Sequence, residues 1–423
     1  MKKSLIALAA LAATASFAQS SVVLSGAVDV AYANKAVSAG TGVNLGKATG
    51  VAEGQNTANR INFTMTEDLG GGQKAGAMVE MGLNITNGQL VSTRAAAAGV
   101  NVVNAGSTTA EIPTGSYSTA TNRQSYVFTN GGFGEIRAGY TRTNLYELST
   151  FSGYLVGQEQ YGSLLHTFGN SVFGGTRANG LTWITPSMNG FKATLQYGAG
   201  ADREQYTTDV AAGVNGVKEA TLKRTGLKLD YNNGPLNVAY ARTNVTAKTI
   251  AGSTNNSGTS AVAACTIASG GGTCAAQDAV LTVNNQNIFG APAAAAAAAD
   301  YKSHLDQLAA SYEIGALKLT GHYLNGKKED AAGTSASYKA KNIGAIYTIG
   351  QVGLFASVGN GTNTTQAGVK TNDIKQSQFG VRYSLSKRTV AYVMTGESKD
   401  NSATTATAVA KGKVTGFGMA HSF

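Results

Sequence analysis

Apolar and polar residues trade places every second position along most of this chain. Phe191, Ala193, Leu195 and Tyr197 alternate with Lys192, Thr194 and Gln196. Leu317, Leu319 and Tyr323 alternate with Lys318, Thr320 and His322. Phe379, Val381, Tyr383 and Leu385 alternate with Gln378, Gly380, Arg382 and Ser384. A period of two is the signature of a strand with unlike faces. Sixteen such segments follow the first residues, joined by fifteen connections.

The connections alternate in length. Seven are tight, at Asp68-Leu69-Gly70-Gly71-Gly72, Asn130-Gly131-Gly132, Met188-Asn189-Gly190, Asn232-Asn233-Gly234, Gly315, Gly350 and Ser386-Lys387. Eight are read as long and polar, among them Asn144 to Ala178, Asn244 to Asp300 and Ser398 to Ala410. A soluble sheet has no reason to gather its short turns at one end. A barrel spanning an outer membrane does, with hairpin turns in the periplasm and long loops outside. The expected fold is therefore all-β: a 16-stranded antiparallel transmembrane β-barrel with both termini periplasmic. Fourteen or eighteen strands stay open, since Asn84 to Asn122 and Asn244 to Asp300 could each hold a hairpin.

The start of the chain bears on this reading. Lys2 and Lys3, the apolar stretch Leu5 to Ala13 and the small-x-small Ser16-Phe17-Ala18 read as a secretory signal peptide over residues 1–18. No later run reaches the ~18 apolar residues of a membrane helix. The remainder, 19–423, reads as a single domain, because the low-complexity stretches Gly252 to Gly272 and Ala293 to Ala299 sit in loops and strands resume after them.

Composition agrees. Charged residues are 13% of the chain, against about a quarter in soluble proteins. A wall that faces lipid on one side explains the deficit. The formal net charge is +10, two units of which come from Lys2 and Lys3. Its basic residues form no run longer than two, which argues against nucleic-acid binding. Aromatic rings close many apolar faces: Tyr140, Tyr197, Tyr231, Tyr240, Tyr312, Tyr347, Tyr383, Tyr392 and the single Trp183. That placement suits the headgroup level of a bilayer. The two cysteines, Cys265 and Cys274, flank an eight-residue stretch of the longest loop. Export favours a local disulfide between them, with a metal pair as the alternative.

Catalysis finds little support. Gly169-Asn170-Ser171-Val172-Phe173-Gly174 misses the Gly-x-Ser-x-Gly spacing by one residue, and His166, His304, His322 and His421 form no evident triad. No cofactor or metal motif occurs in the sequence. An outer-membrane barrel enzyme and a secreted β-sandwich adhesin are the rival readings.

Taken as an ordered set, several segments resemble the general porins of Gram-negative bacteria. They are Gln19 to Asp29, Thr66-Glu67-Asp68-Leu69-Gly70-Gly71-Gly72, Asn122-Arg123-Gln124-Ser125-Tyr126-Val127, Phe133-Gly134-Glu135-Ile136, Leu385-Ser386-Lys387-Arg388-Thr389 and Gly418-Met419-Ala420-His421-Ser422-Phe423. The resemblance implies a water-filled channel for passive diffusion of ions and small hydrophilic solutes. It further implies a homotrimer contacting lipid and lipopolysaccharide, and a third loop, about Asn144 to Asn179, folded into the barrel. It places Arg60, Arg123 and Glu80 on the lumen wall at the constriction. Arg137 and Arg142 join them there, and Glu147 or Glu159 on the loop are expected to face the wall arginines. Tyr140 and Thr64 stand where the family usually has basic residues, which limits the implied anion preference to a mild one. The resemblance also implies that terminal Phe423 takes part in assembly.

Overall fold

A computed structural model of the protein describes residues 20–53, 56–86, 90–91, 122–153, 177–199, 204–209, 214–218, 221–248, 300–404 and 409–423. The signal-peptide segment, Glu159, Cys265 and Cys274 lie outside the described residues.

The wall is a single closed antiparallel sheet. We number its strands in chain order. β1 is Ser21–Ala39, and β2 is one strand in two halves, Asn44–Glu53 and Arg60–Gly70. β3 is Gln73–Leu83, β4 Asn122–Gly131, β5 Gly134–Arg142, β6 Arg177–Ile184, β7 Phe191–Ala199 and β8 Thr221–Asn233. β9 is Leu236–Lys248, β10 Tyr301–Ile314, β11 Leu317–Asp330 and β12 Ser335–Ile349. β13 is Val352–Thr365, β14 Lys370–Ser384, β15 Thr389–Asp400 and β16 Val409–Ser422. Both halves of β2 pair with β1, the upper against Val30 to Ser38 and the lower against Ser21 to Ala27, so they count once and the wall has 16 strands.

Closure comes from β1 and β16, paired from Ala27↔Ser422 to Ala39↔Val409. Backbone bonds continue to the end of the chain: Gly26 N donates to Phe423 O at 3.0 Å, and Phe423 N to Gly26 O at 3.2 Å. The sheet of the wall thus closes on itself, as lipid requires. This closure excludes the open sandwich.

Alternation places the two faces. On β14, Phe379, Val381 and Tyr383 are exposed while Gln376 and Gln378 are buried. On β10, Leu308 and Tyr312 point out while Leu305, Gln307, Ala309 and Ser311 point in. In water an exposed Phe379 at 61% or Phe417 at 59% would be a liability. On a lipid-facing wall these side chains meet their solvent.

One expectation changes. Not every connection at the far end is long: Gly40 to Val43, Ala331 to Thr334 and Gln366 to Val369 are tight turns at the tips of extended hairpins. The strands keep pairing beyond the apolar band, with polar side chains, because backbone ladders form in water as well as in lipid. A further hairpin, Glu204–Asp209 paired with Val214–Lys218, forms a two-stranded sheet of its own between β7 and β8; the stretches Asn84 to Asn122 and Asn244 to Asp300, each open to a hairpin, lie for the most part outside the described residues. Leu90–Val91 adds a two-residue ladder to the end of β3.

Candidate functional site

β6 has eight residues, so the wall is low at this point and the connection from β5 to β6 starts deep in the barrel. It opens with a helix, α1, at Asn144–Gly153. Thr143 caps it: Tyr146 N donates to Thr143 Oγ1 at 3.3 Å and Glu147 N to Thr143 O at 3.0 Å. A second anchor comes from β7, whose Gln196 Oε1 accepts from Asn144 N at 2.7 Å. Leu145 and Leu148, three apart, share one helix face and are fully buried. Leu145 joins inward Leu305 and Leu324, and Leu148 joins Ala239, Ala241 and Ala309. α1 therefore lies across the lumen side of β8 to β12 and narrows the channel.

Glu80 of β3 stands on the inner wall beside this helix, with no exposed surface. An isolated carboxylate in that position would be costly, and it is held by several donors. Arg123 Nε lies 2.6 Å from Oε1, and Gln124 Nε2 donates to Oε2 at 2.6 Å. Arg142 Nη2 donates to Oε2 at 3.0 Å, and Arg177 Nη2 stands 3.8 Å from Oε1.

The local folding explains how two consecutive residues both reach Glu80. Glu80 pairs with Gln124 and Met81 with Asn122, so Arg123 is one extra residue on β4. Such a bulge re-aims a side chain that alternation would send outward. Arg123 and Gln124 are accordingly both buried.

Arg142 and Arg177 form the last register pair of β5 and β6. Both guanidiniums also lie over the ring of Tyr146 from α1, at 5.4 and 5.0 Å. The helix thus supplies an aromatic face to the cationic cluster. Arg60, at the start of the lower half of β2, is held by Thr57 Oγ1 at 3.0 Å and Ala58 O at 2.9 Å, and shares the inward phase of Asn62, the register partner of Glu80. Four arginines thus surround one carboxylate, and Arg142 keeps 32% of its side chain exposed.

The candidates distribute as follows. Arg60, Glu80, Arg123 and Arg142 meet in this cluster. Arg137 stands apart, toward the short turns, paired with Glu135 and 5.1 Å from the Tyr126 ring. Glu147 faces Lys228 of β8, whose Nζ is 3.0 Å away, and Lys228 also meets Asp230 at 3.3 Å. The acid among the arginines is thus the wall's own Glu80, and what the described part of the loop brings to them is Tyr146. The reason is geometric: on α1, Tyr146 projects toward β5 and β6, while Glu147 is turned toward β8. Arg177 was missed. It sits at the loop–strand boundary, where no alternation marks it, and only its place beside the Gly-rich start of β6 could have drawn notice. Phe423 lies in the seam, and a Cβ built on Gly26 would stand 2.5 Å from its ring.

Among the described residues no group of acids, histidines or cysteines could hold a metal ion. Among the described residues of the arrangement no nucleophile is paired with a base. It can hold a fixed positive potential beside a narrowed passage.

Comparison with known proteins gives consistent results. The family described as Gram-negative porin matches residues 5–404. Outer membrane porin protein 32 of Delftia acidovorans is 34% identical over 253 residues, 56% of this chain. That match spans 58% of the relative's length. Among solved structures, the anion-selective porin from Comamonas acidovorans superposes with a TM-score of 0.62 at 20% identity, covering 96% of this chain and all of that one. In-vitro folded OmpT of Vibrio cholerae, in a trimer form, gives 0.58 at 12% identity, with 96% and 99% coverage. At these identities the likeness establishes the fold.

Proposed function

The chain belongs to the Gram-negative porin family, and on that footing we propose that it forms a water-filled channel for passive diffusion of ions and small hydrophilic solutes, with a mild anion preference. Family membership places it in the outer membrane and makes it a channel protein. The observation that supports the preference is the inner-wall cluster: Arg60, Arg123, Arg142 and Arg177 around the single carboxylate of Glu80. Arginine keeps its charge under all working conditions and is weakly hydrated, so it attracts anions without holding them tightly. Charge at a constriction selects by sign, and low-dielectric walls focus the field. Glu80 cancels one of the four charges, which keeps the preference mild. The Comamonas acidovorans structure, titled anion-selective, supports the same sign.

Three further readings belong to this proposal. Residues 1–18 act as a signal peptide, leaving 19–423 as one barrel domain. The barrel assembles as a homotrimer, as the Vibrio cholerae relative does in its trimer form. It contacts lipid and lipopolysaccharide through its outer face. The test of the channel reading is planar-bilayer conductance of the purified, folded protein in a potassium chloride gradient. Stepwise conductance with a reversal potential on the chloride side is expected. Absence of steps contradicts the channel, and a reversal potential on the potassium side contradicts the preference.

A further inference from the structure

β2 is interrupted where it passes the middle of β1. Its upper half leaves the ladder after Glu53, the partner of Val30, and its lower half rejoins at Arg60, the partner of Ala27. Asn56 to Asn59 stand off the ladder at this break, opposite Val28 and Asp29. Arg60 is therefore the first residue of a restarted strand, and its direction depends on how the break is held.

The break is held from β1. Asp29 lies on the inner wall, in phase with buried Ala27 and Ala31, and has no exposed surface. One carboxylate oxygen, Oδ2, accepts from both Asn56 N and Thr57 N at 2.7 Å. The other, Oδ1, accepts from Tyr392 Oη at 2.7 Å. Asn59 returns the contact, its Oδ1 accepting from Asp29 N. A buried carboxylate is costly unless donors meet it, and here they do. Tyr392 reaches Asp29 from β15 across β16, and Gly418 leaves room for the crossing: a Cβ there would stand 2.5 Å from the Tyr392 oxygen. Strands from both ends of the chain thus converge on one side chain.

The same segment holds the guanidinium. Arg60 Nη1 donates to Thr57 Oγ1 at 3.0 Å and to Ala58 O at 2.9 Å. Asp29 fixes the backbone of Thr57, and Thr57 and Ala58 fix Arg60. The charge of a long side chain acts where its neighbours hold it.

We infer that Asp29 is a positioning residue for Arg60: by clamping Asn56 and Thr57 it keeps the guanidinium in the inner-wall cluster, and so supports the anion preference through a residue other than itself. The inference deepens the proposed anion preference and rests on it. It also runs against the sign of the charge. A carboxylate on the lumen wall that acts through its own field favours cations. Acting through Arg60, Asp29 favours anions. The two roles give opposite effects when the acid is removed.

The test measures the reversal potential of the full-length folded protein in a planar bilayer, across a shallow potassium chloride gradient at low salt. The proteins are the parent, D29A, D29N, R60S and D29A/R60S. D29A and D29N remove the same charge, but only D29A removes the acceptor for Asn56 N and Thr57 N, since the amide oxygen of asparagine still accepts. D29A should move the potential toward potassium by a shift similar to that of R60S. D29N should not move it in that direction. D29A/R60S should show no movement toward potassium beyond that of R60S, because both changes act on one guanidinium. Equal potentials for D29A and D29N, a movement of D29A toward chloride, or shifts of D29A and R60S that add, each overturn the inference. Should D29A not fold, Y392F is read in its place, alone and with R60S. It leaves every charge where it is and removes one donor from the Asp29 carboxylate. A smaller movement toward potassium, absent when Arg60 is already Ser, supports the inference, and an unmoved potential overturns it. Failure of the wider reading looks different. A parent without pores contradicts the channel, and an R60S potential equal to the parent's contradicts the part given to Arg60, each taking this inference with it. R60S moving while D29A does not refutes this inference alone.

Discussion

Glu80 and Arg123 meet at 2.6 Å because the chain inserts one extra residue where β4 passes Glu80. Without that bulge Arg123 would share the lipid-facing phase of Ser125 and Val127. With it, the guanidinium and the neighbouring Gln124 both bond one buried carboxylate, which in turn holds Arg142. On the proposed function, ion selectivity is tied to a backbone irregularity as much as to residue identity.

Removing the charge of Glu80 should strengthen the anion preference. Glu80→Gln deletes the negative charge that Arg123, Arg142 and Arg177 share among the described residues and leaves an amide that can still accept from Arg123. The reversal potential in a salt gradient should move further toward chloride. Stability should fall by about 1–3 kcal/mol, since buried donors lose a charged acceptor. An unchanged reversal potential in a folded variant would show that Glu80 does not set the local field.

α1 should act as a movable obstruction whose seat is apolar. Leu148 is fully buried against Ala239, Ala241 and Ala309. Leu148→Ala should weaken docking by about 2–5 kcal/mol, and Leu148→Asp by more. Single-channel conductance should rise as the helix leaves the lumen side of β8 to β12. Conductance equal to the parent's would mean that α1 does not limit the passage.

The seam between β1 and β16 should be the point where assembly fails first. At Gly26 a Cβ would stand 2.5 Å from both Arg60 O and the Phe423 ring. Gly26→Val should therefore hinder closure, and deletion of Phe423 should remove the pair of backbone bonds that ends it. Both should lower the yield of the heat-modifiable folded form in membrane fractions. Where either variant does fold, its conductance should match the parent's, because neither residue lines the constriction. Normal yield from both variants would place the assembly signal elsewhere.

How much of this could be read from the sequence differs from element to element. The wall was legible, since a period of two survives wherever one face meets lipid and the other meets water or α1, as in Phe191 to Tyr197. Six of the seven short turns were legible through their glycines and asparagines, and the seventh through Ser386, whose Oγ accepts from Arg388 N and Thr389 N. Loop lengths were not, because β11 and β13 stay paired after their residues turn polar and no change in pattern marks the edge of the bilayer. α1 left only faint marks, the Thr143 cap and the Leu145–Leu148 spacing, inside a loop otherwise without period. The cluster was half legible. Arg60, Glu80 and Arg123 came through resemblance, whereas simple alternation would have sent Arg123 outward. Arg177 carried almost no signal beyond the glycines near it, since its partner Glu80 lies three strand pairings away. Glu147, expected to face the arginines, also pairs with Lys228, which no pattern in the sequence announced.

The most direct test of the central claim is the reversal potential across a planar bilayer, in a shallow potassium chloride gradient, for the parent and for Arg60→Ser with Arg123→Ser. Low salt is essential, because charges in contact with solvent are screened beyond ~8 Å at physiological ionic strength. The account predicts a chloride-side potential for the parent that moves toward potassium in the double variant, with folded mobility on gels retained. A parent already selective for potassium, or a double variant whose potential does not move, would contradict it.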